Sequence, residues 1–422
     1  MALDATLQTS VWLGAAEIDR INAKVPAPSR QLRNKVAIVG VGETDYHLDY
    51  KAERSRGPGY ERPTPEGLAE IAFTRALADS GLKRTDIDGL SVSFTYGGPE
   101  PAAMAELLGL KPRYLIANGN IMAGPLPVVG TDIAAGKADT VAMIYSVASR
   151  AIGRQYGGKT YTSDARTPSS YYYYHPWGWS SQAAHWAMTF SHYQAKYGVA
   201  EEDLGVVAMQ LRRNAMANSN AVMRAPMSLT DYMSSRYIVR PLHLFDLCLV
   251  NDGAVCLIVR RADRASDMAH APVLLAGWGE SMLKGDKMHC MVRERLRPLM
   301  QAAGAQALEM AGLTLSDVAH FEGYDVSSIH LINQIEGYGF SEQGTGLHFC
   351  RGGQMGIGGK LPTNTGGGNL SGSYMHGWSQ IAEVTRQLRH EAGERQVKGV
   401  QVSMSSLVQT DQAHPLIFVR GA

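Results

Sequence analysis

A chain of 422 residues with 45% hydrophobic content and 45 glycines has the makings of a globular α/β enzyme, with enough apolar material for two or three core-forming units or one large one. Its 40 Lys and Arg against 39 Asp and Glu leave a formal net charge of +1, which gives no electrostatic case for nucleic acid or an anionic membrane. The apolar runs "TVAMIYSV" (140–147) and "AVCLIV" (254–259) fall far short of the roughly 20 residues that a spanning helix needs, so no membrane segment is expected.

The N-terminus, "MALDATLQTSVWLGAAEIDR", lacks a basic start and an unbroken apolar core, so it does not read as a secretion signal and a cytoplasmic protein is expected. Residues 1–33 read as an extension with "VPAPSRQ" as its linker. "VAIVGVGET" (36–44) is then a strand. Thr64 can cap a helix opening with Pro65, in which Leu68, Ile71, Ala72 and Ala76 share one face. Gly81 supplies a left-handed end to that helix, and "LSVSF" (90–94) returns as a strand. From about 148 to 245 runs a long insertion, with the aromatic run "YYYYHPWGWSS" and a helical stretch, "SQAAHWAMTFSHYQAKYGV" (181–199). The tyrosines at 171–174 suit either a substrate channel or plain packing.

Further along, the first strand is echoed by "VLLAGWGES" (273–281), and "ALADSGLKRTDIDGL" (76–90) by "ALEMAGLTLSDVAHF" (307–321), at nearly equal offset. Two copies of one strand–helix–strand unit are therefore expected, at 34–268 and 269–422. Strands separated by helices suggest a parallel sheet covered on both faces. The repeat also explains away "VGVGETD" as a dinucleotide fingerprint, since its third glycine is missing. Likewise "GGQMGIGGK" has neither the phosphate-loop spacing nor a Ser or Thr after Lys360. The four cysteines, Cys248, Cys256, Cys290 and Cys350, form no CxxC pair, and no HExxH or His-x-His occurs, so neither a disulfide framework nor a bound metal is expected.

Late in the second copy comes "LPTNTGGGNLSGSYMHG" (361–377), a pliable, polar loop. With "YGVAEEDLGVVAMQLRRNAMANSNA" (197–221), "RPLHLFDLCLVNDGAVCLIV" (240–259) and the duplication, it resembles the thiolase superfamily, and within it the thiolase-like lipid-transfer branch. The resemblance runs from about Lys35 to the C-terminus and implies a duplicated five-layer αβαβα fold with an inserted loop domain. Thiolases carry a nucleophilic cysteine in the first half, near Gly119 here, and a second near Met404 to Ser406. Both are missing.

Where thiolases have Asn-Glu-Ala-Phe-Ala this chain has "YDVSS", placing Tyr324 at the asparagine. Where they have Gly-His-Pro it has "SYM", placing Tyr374 at the histidine, and a shift of two would favour His376. A tyrosine pair at these positions resembles the steroid side-chain aldolases, which work with an OB-fold partner. A thiolase needs a thiolate to hold its acyl group, whereas a retro-aldol cleavage passes through a thioester enolate with no acyl-enzyme. The resemblance thus implies cleavage of a β-hydroxyacyl-CoA, with Tyr374 as base, Tyr324 as its partner, and Asn364, Gly367, Gly368 and Ser371 shaping the loop and bringing backbone amides to the thioester.

Asp325 lies beside these residues and either joins the substrate site or caps the following helix. The resemblance further implies no permanently bound cofactor, a CoA thioester as substrate, a homodimer through the core, and a separate OB-fold, zinc-ribbon acyl-CoA-binding protein as partner. Two alternatives stand beside the aldolase: a partner-dependent acyltransferase or atypical thiolase working through Cys350, and a non-catalytic acyl-CoA- or lipid-binding subunit.

Overall fold

The computed structural model describes residues 27–93, 97–118, 124–153, 181–266, 268–283, 293–409 and 411–421. Most of the N-terminal extension, the tyrosine run at 171–174, Gly119 and Cys290 lie outside the described residues. The first half contains β1 (Val36–Glu43), α1 (Tyr46–Ser55), α2 (Pro65–Ser80), β2 (Gly89–Ser93), α3 (Pro101–Leu107), β3 (Tyr114–Asn118), α4 (Pro125–Ala134) and β4 (Thr140–Val147). The chain then leaves the sheet for α5 (Gln182–Tyr197), α6 (Glu201–Met216), α7 (Leu229–Ser234) and a small hairpin, β5 (Tyr237–Val239) and β6 (Leu242–His243), before returning as β7 (Gly253–Arg261). The second half runs β8 (Val273–Trp278), β9 (Ser281–Met282), α8 (Arg293–Ala311), β10 (His320–Gly323), α9 (Ser328–Gly337), α10 (Gly346–Arg351), α11 (Trp378–Arg389), β11 (Val402–Val408) and β12 (Gln412–Arg420).

The strands form one large sheet in the order β10-β11-β12-β8-β1-β7-β4-β2-β3, with β9 alongside β12. The duplication is visible in this order. In the first half β2 and β4 are parallel, while β4–β7 and β7–β1 are antiparallel; in the second β10 and β11 are parallel, while β11–β12 and β12–β8 are antiparallel. The halves join where β1 and β8 run antiparallel at Ala37↔Leu274 and Ile38↔Val273. The sheet is therefore mixed, and the expectation of a purely parallel one is corrected. Only three residues separate β11 from β12, too few for a parallel crossover, and β7 re-enters antiparallel after the long excursion.

Side chains alternate across β1, so Val36 and Ile38 enter one apolar core while Ala37 and Val39 enter the other. The helix over 65–80 forms as its sequence signals require: Thr64 Oγ1 accepts from Gly67 N–H at 3.1 Å, and Gly81 ends it at φ 71°. The interior helix α9 is buried along its whole length. No helix among the described residues is long and apolar enough to cross a membrane.

The repeated residues do the same work in both halves. A Cβ on Gly40 would lie 2.6 Å from the Ala76 carbonyl oxygen, and one on Gly42 would overlap that of Ala72, so β1 lies directly against α2. Gly277 and Gly279 stand in the same relation to Ala307 and Ala303 of α8. Downstream, Asp86 accepts from Lys83 N–H at 2.8 Å and Asp317 from Thr314 N–H at 2.7 Å, closing the turn that leads into the next strand. Because nothing at Gly42 can move aside except helix backbone, Gly42→Val is expected to destabilise the chain by about 2 kcal/mol or more. A chemical-denaturation midpoint equal to that of the wild type would contradict this account.

Candidate active site

The glycine loop closes on itself as a single π-type turn, Gly368–Gly372, entered from Gly367 at φ 97°. Gly368 is also left-handed, at φ 57°, and a Cβ there would run into the Asp325 carboxylate and the Asn364 amide. Both glycines are thus required by backbone conformation and by close approach. Asn364, buried and itself at φ 49°, clamps the end of β10: its Oδ1 accepts from Gly323 N–H at 2.8 Å and its Nδ2 donates to Gly323 O at 2.9 Å.

Asp325 is fully buried and accepts from Asn369 N–H at 2.9 Å, Leu370 N–H at 3.2 Å and Gln380 Nε2 at 3.2 Å. Burial lifts its carboxyl from 3.8 to about 8, against the lowering pull of the Asn369 and Leu370 amides. It does not cap α9. Ser327 takes that position, accepting from His330 N–H at 3.3 Å, and Asp325 is left to hold the loop.

The loop is gripped from its other side by α6 and the segment after it. Asn214 Nδ2 donates to Thr363 O at 2.9 Å and Asn218 Nδ2 to Gly366 O at 3.0 Å, while Val222 N–H and Met223 N–H donate to Gly372 O and Ser371 O. Ser371 Oγ accepts from Arg212 Nε at 3.1 Å. Beneath lies a buried ionic layer: Glu322 accepts from Thr365 N–H at 2.8 Å and meets His320 Nε2 at 3.1 Å, and Thr365 Oγ1 donates to Glu383, which Arg395 holds at 2.9 Å. Burial raises the Glu322 carboxyl. Burial works the same way on Glu383, but Arg395 and the donors around it bring that carboxyl below its ordinary value.

Leaving the turn, the chain carries Tyr374 to Tyr324. Their hydroxyls are 2.8 Å apart, and one donates to the other. Tyr324 follows β10 directly, its N–H donating to Ser406 O at 2.9 Å and its carbonyl accepting from Gln334 Nε2 at 2.8 Å. Tyr374 N–H donates to Asn251 Oδ1 at 2.8 Å. The His376 ring lies against that of Tyr374, with centroids 4.3 Å apart, and its Nδ1 is 2.5 Å from Tyr145 Oη. The structure therefore brings together Tyr324, Tyr374 and His376, and wraps Asn364, Gly367, Gly368, Ser371 and Asp325 into the loop that presents them.

Six amides along the turn are engaged within the protein: Asn369 and Leu370 with Asp325, Ser371 and Gly372 with Gly367 O, Ser373 with Gly368 O, and Tyr374 with Asn251. Tyr145, Asn251, Gln334 and Gln380 were missed altogether. Asn251, in the "LVNDGA" stretch before β7, lies in a segment that carries the family resemblance, and Tyr145 in the apolar run "TVAMIYSV".

Among the described cysteines, Cys248 lies beside Asp325, and its N–H donates to Val326 O. Cys350 is buried on α10 with its Sγ toward Val206 O of α6, and burial pushes its thiol up to about 12. Burial also raises Cys248 to about 12, and Cys256 well above the ordinary thiol range.

Residues 286–410 match the thiolase C-terminal domain-like family. The chain is 32% identical over 372 residues to a steroid side-chain-cleaving aldolase of Thermomonospora curvata, covering 85% of this chain and 91% of that one. It is also 32% identical to the 17-hydroxy-3-oxo-4-pregnene-20-carboxyl-CoA lyase of Mycobacterium tuberculosis, covering 85% and 92%. Among solved structures, an Ltp2-ChsH2(DUF35) aldolase superposes with a TM-score of 0.78 at 28% identity, covering 92% of this chain and 98% of that one. Human mitochondrial 3-ketoacyl-CoA thiolase in complex with CoA shares the fold, with a TM-score of 0.66 at 14% identity over 93% and 99% of the two chains.

Between 3.8 and about 8 the folded chain keeps a proton on Asp325 that the unfolded chain has released. Stability due to this residue is thus present at low pH and lost as pH rises through that window. Asp325→Asn, with no proton to lose, is expected to gain on the wild type by up to about 1.4 kcal/mol per pH unit across it. Denaturant titrations at several pH values check this; a difference that stays flat with pH would place the titration elsewhere.

Proposed function

The chain belongs to the thiolase-like superfamily, and from that premise we propose that it is an aldolase cleaving a β-hydroxyacyl-CoA, a steroid side-chain thioester, to a ketone or aldehyde and a shorter acyl-CoA. The observation that carries this reading is the 2.8 Å contact between the Tyr324 and Tyr374 hydroxyls.

In this reading Tyr374 takes the proton of the β-hydroxyl as the Cα–Cβ bond breaks. The bonding pair moves into the thioester as an enolate, and the β-carbon leaves as a carbonyl. Tyrosine has a reference pKa of about 10, so a free phenolate is costly at neutral pH. Passing a proton along the Tyr374–Tyr324 hydrogen bond avoids one: as Tyr374 accepts from substrate, Tyr324 donates to the enolate, and the released acyl-CoA carries the proton away. In this reading the tyrosine hydroxyls donate to the enolate, with His376 beside them and the glycine loop adjoining.

The likeness to the Ltp2-ChsH2(DUF35) aldolase supports a separate DUF35-type partner for this chain, in the role that the resemblance gives to an OB-fold, zinc-ribbon protein. A homodimer through the core is supported by β3, an edge strand hydrogen-bonded only to β2 among the described residues, with Leu115 44% exposed. Acyl transfer through Cys350 is disfavoured by that thiol's burial and raised pKa.

The test is product analysis on steroid β-hydroxyacyl-CoAs, with and without the DUF35-type partner. Tyr374→Phe is expected to lower kcat by about 100-fold or more while substrate still binds. Cleavage that survives in Tyr374→Phe would remove it as base. Binding with no cleavage by the wild type would favour the non-catalytic subunit.

A further inference from the structure

Tyr145 is the one tyrosine of "TVAMIYSV", on β4 in the first half of the chain, paired in register with Val255 of β7 and Ser93 of β2. It is 1% exposed, and strand pairing on both sides fixes its backbone. Its ring stacks on Trp378, the first residue of α11, with centroids 5.9 Å apart and planes 19° from parallel. Its hydroxyl reaches His376 Nδ1 at 2.5 Å.

His376 needs such support. It is a non-glycine residue at φ 48°, followed by Gly377 at φ 89°, so the chain makes two left-handed steps between the tyrosine and the start of α11. A side chain with a Cβ holds that conformation only where its surroundings over-determine it. Here the surroundings are the Tyr145 hydroxyl on one side of the imidazole and the Tyr374 ring on the other, 4.3 Å away. A phenol has one proton to give, and an unprotonated ring nitrogen has a lone pair to receive it. With that bond made at Nδ1, the ring proton belongs on Nε2.

We infer that Tyr145 is a positioning residue for the tyrosine pair. It donates its hydroxyl proton to His376 Nδ1, fixes the imidazole as the Nε2–H tautomer, and so holds it against Tyr374 with the Tyr374 hydroxyl in reach of Tyr324. A side chain from the first half of the duplicated fold thus sets the geometry of a site whose tyrosines come from the second. The kinetic part of this inference rests on the aldolase reading; the hydrogen bond and tautomer do not.

The experiment is nitrogen NMR of the full chain labelled at histidine, with the His376 signal assigned from its loss in His376→Gln, together with kinetics on a steroid β-hydroxyacyl-CoA. The wild type is expected to show an unprotonated Nδ1 and a protonated Nε2. Tyr145→Phe is expected to shift the Nδ1 resonance and lower kcat about 10-fold, as loss of an orienting partner does, with KM changed less than about 2-fold. A proton on Nδ1 in the wild type overturns the inference, and needs no variant to be seen. So does a Phe variant with unchanged kcat. If the wild type cleaves nothing, the aldolase reading fails while the tautomer still decides the Tyr145–His376 bond.

Discussion

The site hangs on the acceptance of the Asn369 and Leu370 amides by the buried carboxyl of Asp325, an interaction that joins the end of β10 to the glycine turn. Tyr324 is the residue immediately before this carboxyl, and Tyr374 leaves the turn four residues beyond Leu370. Fixing one to the other sets the separation of the two hydroxyls. Asn364 repeats the link from the opposite side of the turn through both polar groups of Gly323. Such buried polar networks are strong only when each member is satisfied, and here the glycines make the close approach possible.

The duplication explains where this site forms. The two copies have the same strand order and directions and meet at a short antiparallel pairing of β1 and β8. Elements following β10 in one copy therefore face β4 of the other, and Tyr145 meets His376 across that junction. The excursion between β4 and β7 contributes the third wall, since α6 and the chain after it hold the outer side of the glycine loop.

Much of this was legible locally. Thr64, Pro65 and Gly81 bound a helix because caps and left-handed ends act over three or four residues, and they do so here. The paired glycines of 40 and 42, 277 and 279 marked the repeat, and the structure gives their reason in strand-to-helix contact. The alignment of "YDVSS" and "SYM" with the thiolase motifs put Tyr324 and Tyr374 together, and their hydroxyls do meet.

What the sequence by itself determined, then, were features whose physical cause is short-ranged or repeated: helix ends, the two copies, and the residue types at two motif positions. Tertiary structure alone decided the rest. Strand direction depends on how each strand re-enters the sheet, so the mixed pairing was invisible to periodicity. Asp325 sits where a helix cap would, yet Ser327 takes the cap, and only the folded chain shows which buried amides the carboxyl serves. Tyr145 reads as one more apolar strand residue, because the partner that gives its hydroxyl a purpose lies 231 residues away.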